Sequence, residues 1–274
     1  MNHDISFNNN LSCHAPKEFT VEVMLDRTGY AAKPAKGDRV WAKINEAIAK
    51  NRESMSIPEL ARLLTSGCSF APGVFINGKR SNDTWVQQQI FALDFDESLT
   101  IEEFLEMSRE YGITPAFMYP SFNHTEDGHR FRAVFIADTI VTDTRVRTFI
   151  INLLFLMYTK PGNTPKEKRG PDEHCKDFPR FFLGTNKPLI QQDFTARINP
   201  IQLLNAFLNE KKRSDSTNLA RWQEKVASEC DIEFLRNHEF GVVFCDYVVS
   251  NEVADEKSAY SGLSRPPIPE EREH

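Results

Sequence analysis

The sequence predicts a mixed α+β protein: a β-α-β-β-α-β block between an N-terminal α/β module and a mainly helical C-terminal region. Three observations predict it. An apolar run ends in Leu93-Asp-Phe-Asp96, the pattern of a buried strand reaching solvent. Residues 115–121 and 130–137 both have strand composition with only a polar turn between them, which makes them a hairpin rather than a crossover pair. Residues 100–111 and 144–158 carry apolar side chains at helical spacing, one stretch after the first strand and one after the third.

In chain order, residues 1–20 are rich in Asn and read as a loose lead-in to a module spanning 21–87. Within it, Val40, Ile44, Ala47 and Ile48 predict a basic amphipathic helix over 38–51, and Ser56-Ile-Pro opens a second over 56–66. Asn77-Gly-Lys-Arg80 is a turn with two cations at its tip. The block 88–190 begins with a strand over 88–94. Ser98 or Thr100 caps the next helix, whose first turn is acidic and whose end is Gly112. Strands over 115–121 and 130–137 follow, then the 144–158 helix with Val146, Phe149, Ile150, Leu153, Leu154 and Met157 on one face. A short strand or turn at 180–183 completes the split ferredoxin-like order. Over 191–254, helices are expected at 199–209 and 216–228, joined by Lys211-Lys-Arg213, while 231–250 fits either a strand or a buried helix. Residues 255–274 have the composition of a disordered tail.

Composition narrows the class. A net charge of −6 argues against a chain that is basic throughout, so any contact with a polyanion must be local. The five cysteines are scattered and none forms a CxxC pair, which disfavours both a disulfide framework and a structural zinc. With no basic-then-apolar leader and no membrane-length apolar run, the expectation is a soluble, cytoplasmic protein.

Strand alternation places Asp94 and Asp96 on one sheet face, with Leu93 and Phe95 on the other. Two adjacent carboxylates repel, and a hard divalent cation removes that penalty; a strand end fraying into an acidic turn is the plainer alternative. Ser121-Phe-Asn-His124 ends the next strand, so His124 either holds a phosphate or makes a local turn hydrogen bond. Arg130 and Arg132 share a strand face that suits a triphosphate, or pairs with nearby acids. Asp172 and Asp177 add carboxylates and Arg180 a further cation, unless these groups satisfy one another in a polar loop.

Taken together, Leu93-Asp-Phe-Asp96, Ser121-Phe-Asn-His124, Arg130-Phe-Arg132 and Asp172 to Phe182 resemble the archaeo-eukaryotic primase superfamily, nearest to primase-polymerase domains of bacterial phages, plasmids and integrated elements. The likeness covers about residues 70–190. It implies an RRM-like catalytic palm and two-metal nucleotidyl transfer on a single-stranded DNA template. Asp94 and Asp96 would bind two Mg2+ or Mn2+ ions with Asp172 as third carboxylate, and His124, Arg130 and Arg132 would bind the phosphates of an NTP or dNTP. The chain departs from the family pattern in two places. Ser121 stands three residues before His124 instead of two, and the third acid is either Asp172 or Asp177. No helicase domain is legible, so unwinding is expected from a separate helicase.

A template needs cations with aromatic rings. The candidates are Lys79 and Arg80 with Trp85, the 166–169 loop, and Lys211 to Arg213 with Trp222; each reads equally as a solvated patch. One rival enzyme class is a haloacid-dehalogenase-like phosphatase with Asp94 as nucleophile and Asp96 as acid/base. A primase-like binding factor without catalysis is another. A calcium loop starting at Asp94 fails, with Leu99 at its sixth position and Leu105 at its twelfth.

Overall fold

The computed structural model describes residues 19–160 and 169–230. The expectations for most of the lead-in, for the loop cations at 166–168, for 231–250 and for the tail fall outside those residues.

The chain opens with β1 (Thr20–Asp26), α1 (Val40–Lys50), β2 (Arg52–Ser56), α2 (Ile57–Thr65) and β3 (Ser69–Ala71). Their strands form an antiparallel sheet in the order β2-β1-β3. Val21, Val23 and Leu25 of β1 and Leu60 and Leu64 of α2 are fully buried in the main core, while α1 inserts Ile44 and Ile48 into a smaller cluster around Met24, Val74 and Trp85. Pro72 then breaks the strand path. Proline has no N–H to give a ladder, and β4 (Gly73–Phe75) leaves the first sheet to pair with β5 (Trp85–Asp96) in a second. Gly73 is required there, because a Cβ would come within 2.9 Å of the Trp85 ring.

After β5 come α3 (Ile101–Tyr111), β6 (Phe117–Pro120), β7 (Arg130–Val141), α4 (Thr144–Met157), β8 (Gln191–Gln192), α5 (Pro200–Ser214) and α6 (Leu219–Cys230). Thr100 and Glu103 make a capping box on α3, and Gly112 ends it in the left-handed region at φ 63°. The five-stranded sheet runs β4-β5-β7-β6-β8 with every pairing antiparallel. That excludes the phosphatase reading, whose fold needs a doubly wound parallel sheet.

The sheet has two unlike faces. One carries Phe95 and Phe131, stacked at 4.8 Å, and is covered by Phe104 of α3 and by Tyr158 beyond α4. The other carries Asp94, Arg132 and Tyr119 beneath the 180–183 segment, where Tyr119 Oη and Arg132 Nη1 both donate to the Leu183 carbonyl. The 180–183 segment corrects one expectation. It is not a strand of the larger sheet; Phe182 instead makes a single bridge to Phe70 of β3. The edge of β5 where a closing strand would lie is already filled by β4. Among the described residues, no helix is long and apolar enough to cross a membrane.

Candidate functional site

The β5–β7 register sets Asp94 directly opposite Arg132 and Asp96 opposite Arg130. Each carboxylate therefore faces a guanidinium across the ladder, which offsets the repulsion expected between the two acids. The rungs differ in solvation. Asp94 is 4 % and Arg132 9 % exposed, with Asp94 Oδ1 3.0 Å from Arg132 Nε. Burial alone would lower the Arg132 pKa, but Asp94 and Tyr119 outweigh it and hold the guanidinium above its ordinary value. Asp96 is exposed, 3.7 Å from Arg130, whose nearer partner is Glu97 at 2.9 Å.

The 172–183 segment closes on this ladder. The Asp172 N–H donates to the Asp94 carbonyl at 2.8 Å, and Arg180 Nη2 bonds Asp172 Oδ2 at 2.8 Å and Asp94 Oδ2 at 3.3 Å. One guanidinium thus sits between two carboxylates. Behind them the buried Cys175 Sγ accepts from the Asp94 N–H at 3.3 Å, and burial pushes its thiol up to about 12. The structure brings Asp172 to Asp94, and it does not bring Asp177. A short helical turn, Glu173–Lys176, capped by Asp172, carries Asp177 away, where its carboxylate meets His174 Nδ1 at 3.1 Å.

Asp94, Asp96, Ser121, Arg130, Arg132 and Arg180 line one cavity of about 240 Å³. Phe122 and Phe181, next to Ser121 and Arg180 in the chain, also line it, as do Lys33 and Trp41, which were not legible in sequence because their segment is distant in the chain. His124 stands beside the cavity rather than in it. Its Nδ1 accepts the Arg130 N–H at 3.1 Å, which assigns the ring proton to Nε2. Burial, with His129 and Lys187 nearby, holds its pKa below the ordinary value. Ser121 is buried, and its N–H donates to the Arg130 carbonyl at 2.8 Å.

The predicted template patch does not stand as a surface. Trp85 is 7 % exposed and packs edge-on against Phe178 at 5.4 Å. Arg80 donates to the Pro179 carbonyl and to Asn45, and lies over the Phe181 ring. Lys79 alone of the three is exposed. Arg169 pairs with Glu103, Lys211 lies 4.7 Å from the Trp222 ring, and Arg213 pairs with Glu210. A further residue escaped the sequence reading. Arg147, 3 % exposed on α4, donates to the carbonyls of Lys176 and Asp177 and to Gln88, with its guanidinium 4.3 Å from the Phe178 ring. Its signal was a charge within the apolar α4 run.

Among the described residues, no three His, Cys, Asp or Glu side chains are grouped closely enough to hold a metal ion. The donor set nevertheless fits a hard cation in part: Asp94 and Asp172 each point an Oδ2 at the Arg180 guanidinium, while the buried Asp94 Oδ1 is engaged by Arg132 Nε at 3.0 Å.

No protein-family model matches the chain, and no curated protein matches it significantly. Among solved structures, it is similar to the AEP domain (PP-N190) of the cyanophage S-2L primase-polymerase, PrimPol, at 12% identity and a TM-score of 0.31, over 68% of this chain and 88% of that one. So distant a likeness carries neither fold nor function by itself.

Proposed function

We propose that this cavity is the catalytic centre of a primase-polymerase-type nucleotidyltransferase, which adds nucleotides along a single-stranded DNA template. The observation that carries the reading is the convergence of three guanidiniums, Arg130, Arg132 and Arg180, with the carboxylates of Asp94 and Asp96 in one cavity and Asp172 at its edge. Guanidiniums fit the phosphates of an NTP or dNTP, and carboxylates fit the hard cations that accompany it. Asp94, Asp96 and Asp172 would hold the Mg2+ or Mn2+ ions, which when bound would neutralise the triphosphate and activate the attacking 3′-hydroxyl.

The chain's own residues do the positioning. Arg180 occupies the oxygens of Asp94 and Asp172 that would hold a divalent cation, and with those carboxylates so engaged its guanidinium would be available to a phosphate. Arg130, solvent-facing and held by Glu97, exchanges that carboxylate for a phosphate oxygen. Arg132 stays as the buried counter-charge beside Asp94. His124 offers its Nε2–H from the rim.

The test is incorporation of labelled ribo- and deoxynucleotides on single-stranded DNA in Mg2+ and in Mn2+, with Asp96→Asn alongside. Wild-type product that needs metal, with a loss on the order of 100-fold in the variant, is expected. Undiminished product from folded Asp96→Asn, or none from the wild type, sinks the proposal.

A further inference from the structure

The segment that leads into α1 holds an expense that stability does not explain. Lys33, Lys36, Arg39 and Lys43 are all exposed, and among the described residues none of their side chains has an ion-pair or hydrogen-bond partner. Other exposed cations pair singly with acids, as in Arg27–Glu53 and Arg52–Glu22, or stand apart from one another, as Arg62, Arg109 and Arg221 do; here four fall within eleven residues. Arg39 and Lys43 are one turn apart, a like-charge spacing that destabilises a helix. In a chain whose net charge is −6, this is a local excess of positive charge.

Its position gives the excess a use. Lys33, Lys36, Arg39 and Trp41 line an open hollow of about 750 Å³, and Lys33 and Trp41 also line the cavity that holds Asp94 and Asp96. The two spaces therefore adjoin, with those two residues common to both linings. Trp41 is fixed in place, its Nε1 donating to the Ala35 carbonyl at 2.8 Å and its ring 6.2 Å from that of Phe181. Arg80 ties the turn bearing Lys79 to Asn45 of α1, which sets one more exposed cation beside the same helix.

We infer that residues 33–43 are the track for the single-stranded DNA, holding its phosphates on Lys36, Arg39 and Lys43 and leading it past Trp41 into the cavity. Spaced cations beside an aromatic ring are what a flexible strand requires, whatever its sequence. This rests on the proposed nucleotidyl transfer and replaces the Lys79–Arg80–Trp85 patch, in which Trp85 is buried and Arg80 is engaged with Asn45 and Pro179.

The experiment is fluorescence anisotropy of a labelled single-stranded DNA 20-mer over a salt series, without nucleotide or metal. The full chain is compared with K36E/R39E/K43E and with R62E/R109E/R221E. The second variant makes the same charge change at exposed arginines on α2, α3 and α6 that line neither space. The track variant is expected to bind at least about tenfold more weakly, with a salt slope lower by about 2, and the control is expected to bind like the wild type. Equal binding by the track variant, equal loss in the control, or no binding by the wild type overturns the track. Incorporation from an annealed primer separates the two readings. A wild type that binds the strand through these cations but incorporates nothing removes the chemistry and leaves the track in place.

Discussion

Asp94 and Asp96 are chemically the same and differ in burial and in partners, and this decides what each substitution reports. Removing Asp94 leaves Arg132 buried beside an empty position, and breaking a buried pair from one side costs about 3–5 kcal/mol. Asp94→Ala is therefore expected to lower the urea unfolding free energy by that amount. Asp96→Ala, at an exposed position, is expected to stay within about 0.5 kcal/mol. Equal stabilities for the two variants would show that the Asp94–Arg132 contact is not buried in solution. His124 gives a second test. Its Nδ1 must be unprotonated to accept the Arg130 N–H, in keeping with a folded pKa below the ordinary 6.5. Between the two values the unfolded chain binds more protons, so stability is full above about 6.5 and falls as pH drops through the lower, folded value. The wild type should lose stability relative to His124→Asn across that window; parallel curves would refute it.

At the scale of elements, the start of α3 gathers several local devices. Thr100 accepts from the Glu103 N–H and Glu103 returns the bond to the Thr100 N–H, while His129 Nδ1 accepts the Ile101 N–H at 2.8 Å. The Glu103 carboxylate also binds Arg169 and Lys160, and the Arg169 contact is foremost in holding its pKa down, to about 2. That carboxylate favours folding above its ordinary 4.5, and the benefit is lost as pH falls to about 2. Acid unfolding of Glu103→Gln should lack this part of the slope, and a variant as acid-sensitive as the wild type would show that Glu103 is not engaged. This helix was legible because its cap, its acidic first turn and Gly112 are all local signals. The three-stranded sheet was not. In β2, Arg-Glu-Ser-Met-Ser, only Met55 is buried, so there is no alternation to read. Arg80 and Trp85 looked solvent-facing for a related reason, since Phe178, Pro179 and Phe181, which cover them, lie far downstream. The Asp94, Asp96, Arg130 and Arg132 face was legible because strand alternation is local, whereas their pairing across the ladder needed the register.

On the scale of the whole molecule, the site depends on a segment that belongs to neither sheet. Residues 172–183 touch the larger sheet through the Asp172 N–H on the Asp94 carbonyl, and the smaller one through Phe182, which exchanges both backbone bonds with Phe70 at 2.8 and 2.9 Å. Between these anchors, Arg147 holds the chain from α4. Burial pushes its pKa down to about 10, so it is still charged at neutral pH, and the hydrogen bonds it makes are all to uncharged oxygens. A buried guanidinium so placed is costly, and what it secures is the stretch between Asp172 and Arg180. Arg147→Met removes the charge while keeping much of the stem's bulk. It is expected to leave the β5–β7 ladder intact and to loosen the segment, so that the Asp172 and Cys175 amides exchange with deuterium faster while those of Leu93 and Phe95 do not. Arg147→Lys keeps the charge and one donor and should restore part of that protection. Uniform acceleration over both regions would mean that Arg147 supports the fold as a whole. No acceleration in either would mean that the two sheets alone hold Asp172 and Arg180 against Asp94.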